Sequence, residues 1–133
     1  MFNKRDASCV RRITMMVFAL ALFMPTTLSA QWELDYRLTN DGEASYTSLS
    51  NAWCVAAYGD TVHVVWYDYR DGNEEIYYKR SIDGGVTWGS DTRLTNDVNA
   101  SISPSLAVSG SDIHVVWEDD RDQEPEVYHK CST

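Results

Sequence analysis

Basic residues are scarce. Eleven Lys and Arg stand against 20 Asp and Glu, a formal net charge of -9 over 133 residues. That excludes a nucleic-acid binder, because gripping a phosphate backbone takes a clustered basic surface. Long apolar runs are missing too: the longest, Met15 to Met24, has ten residues, against the ~20 that a membrane-spanning helix needs. No stretch of residues 31–133 carries the apolar spacing of an amphipathic helix. Cysteine is limited to Cys9, Cys54 and Cys131. Apolar and aromatic residues are not scarce. At 44% and 12% they are too abundant for a disordered tail, and the length suits one domain or part of one.

The few basic residues are unevenly placed. Lys4, Arg5, Arg11 and Arg12 precede the apolar run, Pro25 breaks it, and Leu28-Ser29-Ala30 supplies a small residue for cleavage. Residues 1–30 therefore read as a secretory signal peptide. An uncleaved anchor and a buried N-terminal helix are the alternatives. Cleavage after Ala30 leaves residues 31–133 secreted, periplasmic or at the cell surface. Cys54 and Cys131 remain there, and a disulfide or two thiols are equally open.

Residues 31–133 repeat themselves. Arg37-Leu38-Thr39-Asn40-Asp41 returns as Arg93-Leu94-Thr95-Asn96-Asp97, an offset of 56. Trp32 and Asp35 return as Trp88 and Asp91. His63-Val64-Val65-Trp66 returns as His114-Val115-Val116-Trp117, an offset of 51, and Asp68, Arg70, Asp71, Glu75, Tyr77 and Lys79 follow as Asp119, Arg121, Asp122, Glu126, Tyr128 and Lys130. The five-residue difference lies between Gly42 and Tyr58. Thr61 to Tyr67 and Ile76 to Lys79 read as strands, Val86-Thr87-Trp88 opens a third, and Trp53 to Ala57 makes a fourth. Tyr58-Gly59-Asp60, Asp71-Gly72-Asn73 and Asp83-Gly84-Gly85 are turns. Both faces of the Thr61 strand are apolar, so it is covered on both sides. Four short antiparallel strands recurring every fifty or so residues predict an all-β fold of β-propeller blades, with a β-sandwich as the alternative.

Ser81-Ile82-Asp83-Gly84-Gly85-Val86-Thr87-Trp88 fits the pattern S-x-D-x-G-x-T-W, the Asp-box. Here the chain resembles the bacterial neuraminidase (BNR) repeat proteins of the sialidase superfamily, over nearly all of residues 32–133. The resemblance implies blades of a six-bladed ring, about two of which are present. By the offset of 51 the sequence reaches two residues into a second Asp-box at Ser132, and begins at Trp32 with the end of a blade. Further blades or self-association are expected to close the ring. In the family the Asp-box lies away from the substrate. Ser81, Asp83, Gly85, Thr87 and Trp88 are therefore structural.

A site is built once in a ring, whereas scaffold recurs, so the repeat itself sorts the candidates. His63 and His114 match and read as structural. The loop Asp68-Tyr69-Arg70-Asp71-Gly72-Asn73-Glu74-Glu75 gathers oxygens suited to Ca²⁺. Its spacing is not that of an EF-hand, however, and Arg70 points to ion pairs with Asp68, Asp71 or Glu75. Those four residues are binding candidates, with no metal and no cofactor expected. The resemblance implies an arginine triad, a tyrosine–glutamate pair and an acid/base aspartate. The Arg-Ile-Pro motif of the first triad arginine is absent, and four of the five arginines after residue 30 are repeat-matched. No catalytic residue is assigned. The expected function is a noncatalytic glycan- or protein-binding surface. The alternative is an exo-sialidase-type hydrolase whose catalytic blades lie beyond residue 133.

Overall fold

The computed structural model describes residues 32–49 and 53–133. The segment read as an export signal lies outside the described residues. Residues 35–133 form a compact unit. Its strands are β1 (Ser45–Tyr46), β2 (Val55–Tyr58), β3 (Thr61–Asp68), β4 (Glu75–Ser81), β5 (Thr92–Arg93), β6 (Ser101–Ser109), β7 (Asp112–Asp119) and β8 (Glu126–Ser132). All pairings are antiparallel. The fold is all-β, with no helix among the described residues, and hence none long and apolar enough to cross a membrane.

Two sheets result. In the first, β3 is central: β1 and β2 share one of its edges, β4 takes the other, and β5 follows β4. In the second, β6, β7 and β8 lie in chain order. Register explains the unequal repeat spacing. Tyr46 faces Tyr67 and Val55 faces Val64, so eight residues stand opposite two. In β6, Ile102 faces Glu118 and Ser105 faces Val116, so two residues stand opposite one. The first sheet thus carries its extra five residues inside its edge strand, and β1 with β2 is one strand interrupted. In the second sheet the same place is only a β-bulge, where Ser103 adopts φ 54° ahead of Pro104. A proline has no ladder N–H to give, and a bulge accommodates that.

The sheets pack face to face. Val65, Tyr67 and Ile76 of the first meet Leu106, Val115 and Trp117 of the second. Alternation along β7 buries Val115, Trp117 and Asp119 and exposes the residues between them. On β3 the last four residues are all buried, as expected of a strand covered on both faces.

Two strand expectations change. Val86-Thr87-Trp88 is a loop, because Thr87 N donates to the Asp83 carboxylate at 2.8 Å and is lost to any ladder. Pairing resumes at Gly89, whose N–H donates to Arg80 O at 2.9 Å. The strand expected at Trp53 begins instead at Val55, since Trp53 sits at φ 51°, outside the extended region.

Candidate functional site

Four of the repeated residues form one cluster, built twice. Trp66 Nε1 donates to Asp68 Oδ2 at 3.1 Å and Ser45 Oγ donates to the same oxygen at 2.8 Å. Arg70 N donates to Asp68 Oδ1 at 2.9 Å, and Arg70 Nη2 to Oδ2 at 2.8 Å. The guanidinium then lies 4.2 Å from the Tyr77 ring centre, and Tyr77 stacks on Trp66. In the second sheet Trp117, Ser101 and Arg121 surround Asp119 in the same way, with Arg121 4.2 Å above Tyr128. The Tyr77 and Tyr128 hydroxyls donate to Asp71 and Asp122 respectively.

The electrostatics follow. Burial pushes the Asp68 carboxyl up, but the bonds from Arg70, Ser45 and Trp66 outweigh it and hold the group well below the usual carboxylate range. Asp119 is held low by Arg121 first, against burial, with Trp117 and Ser101 assisting. Hydrogen bonds from cationic and neutral donors favour the ionised form. Arg70 also pairs with Asp41 at 2.8 Å and Asp91 at 2.7 Å. Of the expected partners of Arg70 only Asp68 pairs with it; the other two acids on the guanidinium are Asp41 and Asp91, while Asp71 and Glu75 turn to Arg93.

Asp71 and Glu75 belong to an adjoining group. Arg93 reaches Asp71 at 3.0 Å and Glu75 at 2.7 Å. Glu75 Oε1 also accepts from Asp97 N at 2.9 Å, which ties β4 to the segment leading into the second sheet. Asn73 Nδ2 donates to Asp97 O and Asn99 O. Glu75 is fully buried, while its repeat partner Glu126 is exposed. Among the described residues no group of three or more His, Cys, Asp or Glu side chains is arranged to hold a metal ion.

The Asp-box is a self-contained knot. Ser81 Oγ donates to Asp83 Oδ1 at 2.7 Å and accepts from Gly85 N at 2.8 Å. Thr87 donates to Asp83 through N at 2.8 Å and Oγ1 at 2.6 Å. These bonds hold the exposed Asp83 carboxyl down at about 2, with Thr87 the largest cause. Gly84 N donates to Asp60 O at 2.7 Å, joining the box to the β2–β3 turn. Gly85, at φ 97°, takes a conformation that side-chain-bearing residues resist.

The unrepeated chemistry lies at the other end of the first sheet. Tyr46 stacks on Tyr67 with ring centres 5.3 Å apart, and Tyr69 meets Tyr46 edge-on at 6.0 Å. Tyr69 Oη donates to Glu74 Oε1 at 2.6 Å, which pushes its phenol up to about 12. Tyr46 and Tyr69 are exposed, as is Trp53 beyond the interruption. In the second sheet the matched residues are Ile102, Glu118, Asp120 and Pro125, so nothing of this cluster recurs. Sequence reasoning passed over it, although subtracting one repeat from the other would have exposed it. From strand rise, the six steps of β4 put the Asp-box about 20 Å from this cluster.

His63 Nδ1 lies 2.7 Å from the Tyr78 hydroxyl, and burial first, then Arg80, lowers the histidine's pKa. Its partner His114 lies 3.1 Å from His129 on an exposed face. Cys54 Sγ donates to Pro104 O at 3.3 Å, and Cys131 is exposed on β8. The two cysteines do not pair with each other.

No protein-family model, no curated protein and no solved structure matches this chain.

Proposed function

We propose that this chain is an exported module of Asp-box β-propeller blades whose tyrosine cluster binds a neutral glycan without hydrolysing it. The observation that carries the reading is the contrast between the two sheets. Trp, Asp, Arg and Tyr recur as mutually satisfied scaffold, whereas Tyr46, Tyr67, Tyr69 and Glu74 occur once. Exposed tyrosine rings offer flat apolar faces and polar rims, which suit a sugar ring. Glu74 adds an acceptor. A net charge of -9 disfavours an anionic ligand.

A second reading, an exo-sialidase-type hydrolase, draws on the Tyr69–Glu74 contact, since a phenol beside a carboxylate is a nucleophile–base arrangement. Against it, the phenol holds its proton, and the nearby guanidinium of Arg70 is spent on Asp41, Asp68 and Asp91. A substrate carboxylate would need free arginines.

The test is tyrosine and tryptophan fluorescence of the purified full chain titrated with a panel of neutral oligosaccharides, beside a fluorogenic sialoside assay. Binding is expected for at least one neutral glycan, weakened tenfold or more by Tyr46→Ala or Tyr69→Ala and unmoved by Asp83→Asn. Sialoside hydrolysis abolished by Tyr69→Phe would overturn the proposal in favour of the hydrolase.

A further inference from the structure

The space between the two sheets continues beyond their shared core. Opposite residues of an antiparallel pair share a face. Tyr78 stands opposite Val65, Arg80 opposite His63, and Thr92 opposite Tyr78. In the second sheet Lys130 stands opposite Val115. Val65 and Val115 belong to the core between the sheets. Tyr78, Arg80 and Thr92 therefore line the gap from one wall and Lys130 from the other. With Ser90 and Ile113 they border a cavity of about 460 Å³, the size of a small-molecule site.

The cavity's sign is opposite to the chain's. Arg80 and Lys130 line it and no Asp or Glu does, although the net charge is -9. Arg80 is the decisive group. Arg70, Arg93 and Arg121 are each held by carboxylates, whereas Arg80 makes no ion pair among the described residues. It is exposed, so its planar fork of donors stays available. It is also unrepeated, since Cys131 stands in its place at the offset of 51. Scaffold recurs and sites do not. The hydroxyls of Ser90 and Thr92 add donors beside it, and Ile113 adds an apolar wall.

We infer that this inter-sheet cavity binds a small oxyanion, a carboxylate, sulfate or phosphate group, on the Arg80 guanidinium. Such groups match the fork of an arginine bidentately. The field of the whole chain opposes an anion at a distance, which slows its approach but leaves the contact itself favourable. The site is separate from the tyrosine cluster and does not rest on the glycan reading.

The test is an NMR titration of the full chain with sodium acetate, sulfate and phosphate in turn, at constant ionic strength. Saturable shifts are expected at the amides of Gly89, Ser90 and Thr92 with at least one of the three, and none at Tyr46 or Tyr69. Arg80→Gln is expected to raise the dissociation constant at least tenfold, with far-UV circular dichroism checking that this exposed substitution leaves the fold intact. Tighter acetate would assign a carboxylate ligand, and tighter sulfate or phosphate a tetrahedral one. His63 supplies a second readout, because the Arg80 charge helps to lower its pKa, after burial. Saturating anion should raise the His63 pKa in the wild type and leave it unmoved in Arg80→Gln. The absence of saturable shifts with all three anions, or equal binding by Arg80→Gln, overturns the inference.

Discussion

Asp68 shows how one side chain can serve a whole turn. It accepts from an indole, a hydroxyl, a backbone N–H and a guanidinium, all while fully buried. Removing it strands the Trp66 indole and the Ser45 hydroxyl and leaves Arg70 with Asp41 and Asp91 alone. Asp68→Ala is expected to cost about 3 kcal/mol by the scale for a broken buried pair, read from urea unfolding. Acid should attack the same residues. Asp68, Asp83 and Asp119 are all lowered in the folded state. Their stabilisation is complete above the unfolded carboxylate range near pH 4 and is lost as pH falls through their folded values. His63, also lowered, binds its proton more readily when unfolded, so stability begins to decline below about pH 6.5. A pH series of thermal melts should show a shallow fall first, reduced in His63→Gln, and then a steep one below pH 4. At this scale the sequence was partly legible. The S-x-D-x-G-x-T-W spacing marked a turn because its bonds are local. The Asp41 and Asp91 partners of Arg70 were not legible, because only tertiary folding brings them to it.

The connection between β3 and β4 has the same shape as that between β7 and β8. Gly72 N donates to Tyr69 O and Gln123 N to Asp120 O, both at 3.0 Å. The turn demands positive φ in each: Gly72 takes 98° and Gln123 takes 80°. A side chain there is strained by about 1 kcal/mol or more. Gln123→Gly is therefore expected to stabilise the protein by about 1 kcal/mol, and Gly72→Ala to destabilise it by a similar amount, measured as opposite shifts in urea midpoint. Strand existence was readable from β-branched and aromatic runs such as Thr61–Tyr67. Strand ends were less so. Thr87 is a good strand former by composition, but the Asp83 carboxylate claims its N–H.

The two sheets share one core, contributed by Val65, Tyr67 and Ile76 from one side and Leu106, Val115 and Trp117 from the other. Only Trp66 and Tyr77 are buried hydrophobic residues outside that core among the described residues, so unfolding should be a single transition. Far-UV circular dichroism and tryptophan fluorescence are expected to give coincident melting curves; separate curves would mean that the sheets are independent. The internal repeat made the all-β class and the pairing of like with like visible in advance. It could not reveal the tyrosine cluster, because a search for what recurs passes over what occurs once.

The interruption between β1 and β2 has one more consequence. It falls on the edge of a sheet whose central pair, β3 and β4, keeps an unbroken register from Val62 to Asp68. Extra length there is absorbed without moving any residue to the wrong face, and closing a longer loop costs little. Duplicated units of this kind can therefore diverge at one margin while the remainder stays in step. Trp53 and Tyr46, on either side of the gap, occupy that margin.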